Sequence, residues 1–331
     1  MTAAREPIAI IGAGAFGTAL AIVGASDGSP VTLWARDEAQ AADIARAREN
    51  ARLPGCRLPE SVTVTADPAD LARADIVLMV VPAQATRTVA GQFAPVLRAD
   101  ARIVACAKGI EQATGAFQNE VLAAELPGRV VAVLSGPGFA GEIASGRPTA
   151  VTLAATDAGT ADSLCRRLAR PAYRPYSATD IRGVELGGAL KNVIAIACGA
   201  VIGKGLGESA RAALLTRGLA EMARLAVALG ARRETLFGLS GLGDLVLTAM
   251  SERSRNTRFG IDLAKAGGTA AVPAAGAPLA EGVFTAPVAA RLGEDHGVAL
   301  PITAAVADIL AGRLDLDAAI DALVRRPLTS E

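Results

Sequence analysis

The chain has 331 residues, more than one hydrophobic core usually organises, so two domains are expected. Hydrophobic residues make up 51% and charged residues 20%, a globular balance that excludes a disordered chain. Lys+Arg and Asp+Glu are both 33, so no global field draws the protein to nucleic acid or anionic lipid, and aromatics at 3% leave few platforms for stacking bases.

From Pro7 to Ser26 there is no charge, with Arg5 ahead, as in a signal peptide. Glu6 spoils the positive leader, and Gly12, Gly14, Gly17 and Gly24 would weaken an export helix. The segment reads instead as a buried strand, Ile8 to Ile11, that ends at Gly12 and feeds a helix through Thr18 to Val23. Val31 to Trp34 is a second strand. Apolar runs recur at Ile76 to Val81, Arg102 to Cys106, Val130 to Leu134 and Ala150 to Ala154, separated by helical stretches such as Glu38 to Arg48 and Gln84 to Leu97. Strands alternating with helices predict an α/β, Rossmann-type domain with a mostly parallel sheet. After about Asp180 the strand-like runs stop. Helical patterns follow at Val184 to Val201, Ser209 to Leu229, Ser254 to Lys265, Ala286 to Leu292 and Thr303 to Leu310. The division expected is therefore residues 1–180, binding a dinucleotide, and residues 181–331, an all-helical domain. Gly267 to Glu281, rich in Gly, Ala and Pro, reads as a flexible loop. The apolar run between Lys191 and Lys204 is too short to span a bilayer, and the protein is expected to be cytoplasmic, with no membrane insertion.

Four cysteines (Cys56, Cys106, Cys165, Cys198) lie far apart, and His296 is the sole histidine. No zinc site and no Ser-His-Asp device is expected, so no metal is assigned. Gly12-Ala13-Gly14-Ala15-Phe16-Gly17 fits G-x-G-x-x-G, after a strand and opening a helix. Gly12 permits the tight turn, Gly14 the approach of a pyrophosphate, and Gly17 close packing of helix on sheet. At the end of the second strand Arg36 precedes Asp37. The guanidinium favours the 2′-phosphate of NADPH, while Asp37 leaves NADH open, and both residues can serve instead to cap the next helix.

Only Lys108, Lys191, Lys204 and Lys265 are lysine; all other basic residues are arginine. A desolvated lysine can trade its proton where arginine cannot. Lys108 follows a strand at the carboxyl end, where ligands bind in such sheets. Lys191 lies in an otherwise apolar helix, where a charge is costly unless paired or used. Snorkelling is the plain alternative, and it suits Lys204 and Lys265. Three glycine- or serine-rich segments suit small anions: the turn Ser135-Gly136-Pro137-Gly138, a second glycine-rich turn Ser240 to Asp244, and Ser254-Arg255-Asn256 with an N-cap serine at a helix start.

Together these segments resemble the bacterial NAD(P)-dependent glycerol-3-phosphate dehydrogenases over nearly the whole length. The runs that carry the resemblance are Gly12 to Gly14 with Gly17 to Ala21, Ala107 to Glu111, Ser135 to Pro137 with Phe139-Ala140, Arg147 to Ala150, Gly183 to Ile196, Thr216 to Met222, Gly241 to Leu245, and Ser254 to Asn256. The resemblance implies a Rossmann domain followed by an all-helical domain of 6-phosphogluconate-dehydrogenase-like architecture. It also implies interconversion of sn-glycerol 3-phosphate and dihydroxyacetone phosphate for glycerophospholipid synthesis. The catalytic proton carrier then falls on Lys191. Substrate contacts fall on Lys108, Gly136, Gly138, Lys191, Asp244, Ser254, Arg255 and Asn256. Cofactor contacts fall on Gly12, Gly14, Ala15, Phe16, Gly17, Arg36, Arg52, Lys108, Ala140, Arg255, Leu279 and Glu281, with NADPH favoured over NADH. The partner implied is a small phosphorylated substrate and not nucleic acid; a homodimer is compatible with it. Three positions depart from the family pattern. Gly138 replaces a substrate-touching serine or threonine, Arg52 replaces a tyrosine or phenylalanine near the cofactor, and Ala15 replaces a serine beside the pyrophosphate. Two other readings stay open: a two-domain dehydrogenase acting on a β-hydroxyacid, and a non-catalytic, redox-sensing dinucleotide binder.

Overall fold

A computed structural model describes residues 6–267 and 279–325. The chain divides into two compact units. One runs to Lys108 and resumes over Ala116–Val184; the other takes Gly109–Gly115 and the chain from Glu185 onward.

The first unit is built on one eight-stranded sheet: β1 (Ile8–Ile11), β2 (Val31–Trp34), β3 (Val62–Thr65), β4 (Ile76–Met79), β5 (Arg102–Ala105), β6 (Val131–Ser135), β7 (Thr149–Ala154) and β8 (Tyr173–Ala178). Their order is β3-β2-β1-β4-β5-β6-β7-β8. All neighbours are parallel except β6 and β7, which pair antiparallel. The uncharged amino-terminal stretch forms an interior strand of the sheet and its following helix, Ala15–Ala25. Both faces of β1 are covered: Ile8 and Ile10 enter one core cluster, Ala9 and Ile11 another. Such strands read as unbroken apolar runs. The two strands that no apolar run announces, β3 and β8, are the sheet's edges. Val62-Thr63-Val64-Thr65 is half polar, and β8 carries Pro175, which an edge strand tolerates because it need not donate on both sides. Ile11 is in register with Trp34 on one side and Met79 on the other. The strand order therefore reverses at the carboxyl end of β1, the crevice where such sheets take ligands.

The second unit is helical in its described residues. Its long helices are Ile181–Gly203, Gly207–Ala228, Arg255–Lys265, Glu281–Asp295, Pro301–Leu310 and Leu316–Val324, the first beginning just ahead of the unit. The loop expected over Gly267 to Glu281 lies, apart from its ends, outside the described residues. The Ile181–Gly203 helix is longer than the run between Lys191 and Lys204. It is apolar enough to cross a membrane, with mean hydropathy 1.7, yet 83% of that window is buried within the protein, as in a core helix. Glycines let a neighbour lie directly against it. A Cβ on Gly199 would collide with the Thr257 carbonyl, and one on Gly260 with the Ile196 carbonyl. The Ile181–Gly203 and Arg255–Lys265 helices thus touch backbone to backbone.

Glu221, in the middle of Gly207–Ala228, is buried. Its carboxylate accepts from Ile302 N at 2.7 Å, Thr303 N at 3.1 Å and Thr303 Oγ1 at 3.0 Å, capping the Pro301–Leu310 helix from a distance. Burial raises the Glu221 carboxyl above its ordinary value of 4.5, outweighing these hydrogen bonds, which pull it down. The folded state therefore keeps this proton at a pH where the unfolded chain has released it. Stability from this group is greatest below the ordinary value and falls as pH rises through the raised one. Urea denaturation should show wild type losing stability relative to Glu221→Gln as pH is raised from about 4.5 to 7; a constant gap between the two would contradict the assignment.

Candidate active site

In the first unit the chain leaves β1 at Gly12, whose φ of 118° and close approach to the Val80 carbonyl admit no side chain. A Cβ on Gly17 would strike the Gly12 carbonyl, so the helix packs tightly on the turn. Gly14 is the N-cap of Ala15–Ala25 and has no side-chain cap, and the space its Cβ would take is open. An uncapped helix start with open space before it is an anion cradle, and it fits a dinucleotide pyrophosphate. Ala15, Phe16 and Ala140 pack on one core cluster. Arg36, at the end of β2, is exposed. Its neighbour Asp37 is the next helix's N-cap and accepts from Gln40 N at 2.7 Å. Arg52 is exposed as well.

Lys108 follows β5. Its Nζ donates to the Gly136 carbonyl at 2.8 Å and stands 6.0 Å from the centre of the Phe16 ring, which joins three of the residues expected from sequence. Gly136 has φ of 148°, and its Cβ would stand 2.8 Å from Val151 Cα. A Cβ on Gly138 would meet Ile143 Cδ1 at 2.8 Å. A hydroxyl-bearing residue there requires that flexible methyl to move.

In the second unit Lys191 is held inside the Ile181–Gly203 helix. Its Nζ donates to Asp244 Oδ1 at 2.5 Å and to Thr248 Oγ1 at 2.7 Å. The two charged side chains are only 8% and 2% exposed, so the ammonium has not snorkelled to solvent. Asp244 does not sit in a turn: Leu239–Gly243 is a π-helical turn continuing into the Asp244–Ala249 helix. That segment reaches Lys191 because Gly187, one helical turn earlier, leaves room. A Cβ there would stand 2.6 Å from the Ser240 carbonyl oxygen. Thr248 was not singled out from sequence, although its place four residues after Asp244 puts it on the same helix face. It donates in turn to Asp244 Oδ1 at 3.3 Å.

Ser254 caps the Arg255–Lys265 helix, accepting from Thr257 N at 3.3 Å. Arg255 is exposed at that helix start and Asn256 is buried. The Asn256 amide is committed within the protein: Nδ2 donates to Asn192 Oδ1 at 2.8 Å and Oδ1 accepts from Gly282 N at 3.0 Å. This ties the residue after Lys191 to the start of the Glu281–Asp295 helix. Leu279 and Glu281, half-buried, flank that start.

Burial pushes the Cys106 and Cys198 thiols up to about 12, so neither is a thiolate at neutral pH. His296 is exposed at a helix end. Among the described residues no three His, Cys, Asp or Glu side chains are grouped to hold a metal.

The family model described as NAD-dependent glycerol-3-phosphate dehydrogenase N-terminus matches residues 7–161, and its C-terminus counterpart matches residues 180–321. The chain belongs to this family. It is 53% identical over 326 residues, 98% of each chain, to the glycerol-3-phosphate dehydrogenase [NAD(P)+] of Bradyrhizobium sp. (strain ORS 278). The like-named protein of Agrobacterium fabrum is 52% identical over 99% of each chain. The solved structure of glycerol-3-phosphate dehydrogenase from Coxiella burnetii superposes with a TM-score of 0.90 at 39% identity, covering 97% of this chain and 99% of its own.

A buried ion pair is costly to break, because the survivor stays charged and desolvated. Asp244→Asn should therefore lower unfolding stability by about 3 kcal/mol. The double variant Lys191→Met, Asp244→Leu should lose less than either single removal. Denaturant melts of wild type, Lys191→Met, Asp244→Leu and the double variant check this, and strict additivity would show that the pair is not energetically coupled.

Proposed function

We propose that the protein interconverts dihydroxyacetone phosphate and sn-glycerol 3-phosphate with a nicotinamide dinucleotide, in the cytoplasm, for glycerophospholipid synthesis. The observation that carries this reading is the buried Lys191, paired with Asp244 and Thr248 in a chain of this family. A non-catalytic dinucleotide binder has no use for it.

When bound, the nicotinamide supplies the hydride for C2 of the substrate. The protein's own residues do the rest. Gly12 to Gly17 and the helix start after them hold the pyrophosphate, and Arg36 takes the adenosine 2′-phosphate. Asp37 is engaged as a cap, which favours NADPH. Lys191 Nζ gives its proton to the substrate's C2 oxygen as that oxygen gains charge, and takes it back in the oxidative direction. Asp244 steadies the ammonium, and Thr248 fixes the direction of Nζ. Lys108, held by the Gly136 carbonyl, adds positive charge for the substrate. Arg255, exposed at a helix N-terminus, binds the substrate phosphate, where guanidinium geometry and helix dipole act together. Ser254 and Asn256 hold that helix start in place. The reading involves no nucleic acid and no membrane insertion, and a homodimer is compatible with it.

Steady-state oxidation of NADPH by purified protein with dihydroxyacetone phosphate tests the assignment. Lys191→Arg keeps the charge but cannot release its proton near neutral pH, so kcat should fall at least about a hundredfold. Near-normal turnover would move the proton to Lys108 or to water. Titration of cofactor affinity separates the role of Arg36. Arg36→Ala should weaken NADPH more than NADH, since the lost fork meets only the 2′-phosphate; equal losses would mean the residue acts on the shared part of the cofactor or on folding.

A further inference from the structure

Asn50 has no part in the roles assigned above. It is buried and lies just past the Glu38–Ala47 helix, in a stretch shaped by Arg48, the one described non-glycine residue with positive φ, 55°. Its backbone is set by hydrogen bonds from Leu58 N to Arg48 O at 2.8 Å and from Leu53 N to Asn50 O at 2.7 Å. From there its side chain reaches back to the glycine-rich turn. One Nδ2 hydrogen goes to the Ala13 carbonyl at 3.1 Å and the other to Thr18 Oγ1 at 2.7 Å, while Oδ1 accepts from Arg52 N at 3.0 Å. Gln40 Nε2 makes a second bond to the same Ala13 carbonyl, at 3.1 Å.

Two side-chain amides on one loop carbonyl are more than satisfying that oxygen requires. A trans peptide is planar, with C=O and N–H pointing opposite ways. Tying the Ala13 carbonyl inward therefore turns the Gly14 N–H the opposite way, away from Asn50 and Gln40, at the uncapped helix start. The bond to Thr18 clamps the far side of the turn, so that both ends of Gly14 to Gly17 are held by one side chain.

We propose that Asn50, with Gln40 as second donor, is a positioning residue for dinucleotide binding that pre-aims the Gly14 amide at the cofactor pyrophosphate. This rests on the dehydrogenase reading and deepens it. A pre-oriented donor costs no reorganisation on binding, so its loss appears in affinity and not in the chemical step. The pyrophosphate is common to NADH and NADPH, so both must weaken alike, unlike the loss expected at Arg36.

The test is Asn50→Leu, which keeps the branched shape and removes the donors. Affinities for NADPH, NADH and adenosine 2′-monophosphate, which lacks a pyrophosphate, are measured by fluorescence titration and competition. The expected result is about a tenfold rise in Kd for both dinucleotides. The Kd of the monophosphate and the kcat at saturating cofactor should stay within about twofold, since neither draws on the pyrophosphate contact. Gln40→Leu, a milder change outside the core, should raise both dinucleotide Kd values about threefold, and it decides the matter if Asn50→Leu does not fold. Unchanged dinucleotide Kd values in a folded variant, a loss confined to NADPH, or equal weakening of the monophosphate would each overturn the proposal. Wild-type protein that binds neither dinucleotide would overturn the dehydrogenase reading, and this inference with it. Wild-type binding unaffected by the substitutions overturns the inference alone.

Discussion

An ammonium buried beside a carboxylate is the constraint on which the helical unit depends. Moving Lys191 and Asp244 out of water costs several kcal/mol for each ion, and only close pairing with hydrogen bonds to the remaining groups offsets it. The neighbouring elements meet that condition. Gly187 lets the π-helical turn approach, so that Asp244 arrives one helical turn along, and Thr248 follows on the same face. Gly199 and Gly260 bring the Arg255–Lys265 helix against the same core helix, where Asn192 and Asn256 join. The Lys191 ammonium is thus fixed by a bond network and by backbone packing.

The sheet unit obeys a different constraint. Its strands are covered on both faces, so their backbone ends are the places left for chemistry. The glycine-rich turn leaves β1, Lys108 leaves β5 and Gly136 leaves β6. The Lys108 ammonium bonds to the Gly136 carbonyl and lies over the Phe16 ring, which couples three separate segments at the carboxyl ends of the strands. Side chains behind the turn, Gln40 and Asn50, hold its carbonyl from the protein side.

Much of this was legible in the sequence because it is written in local rules. The glycine fingerprint constrains the backbone within six residues, and buried strands announce themselves as apolar runs. Lysine is scarce, and Lys191 alone among the four stands in an otherwise apolar helix. Edge strands β3 and β8 were not legible, since an edge needs neither unbroken hydrophobicity nor two donor faces. The Asp244 segment read as a turn because its glycines look like turn formers. Gly241 is small because other backbone lies against it: a Cβ there would strike the Leu236 carbonyl. Glu221 stood inside a run that marked the family, with nothing to say that it caps a helix some eighty residues later.

The sequence by itself determined the interior strands, the change from α/β to helical texture, the cofactor class and the one lysine set in an otherwise apolar helix. Each depends on residue type and short spacing, which the backbone converts directly into local conformation. Only the tertiary structure decided which partners those residues have: Asp244 and Thr248 for Lys191, Gly136 for Lys108, Asn192 and Gly282 for Asn256, and Asn50 for the Ala13 carbonyl. Those pairs are separated by 26 to 64 residues. At such separations no periodicity in the sequence links them, and the partner is set by which surfaces bury together when the chain collapses.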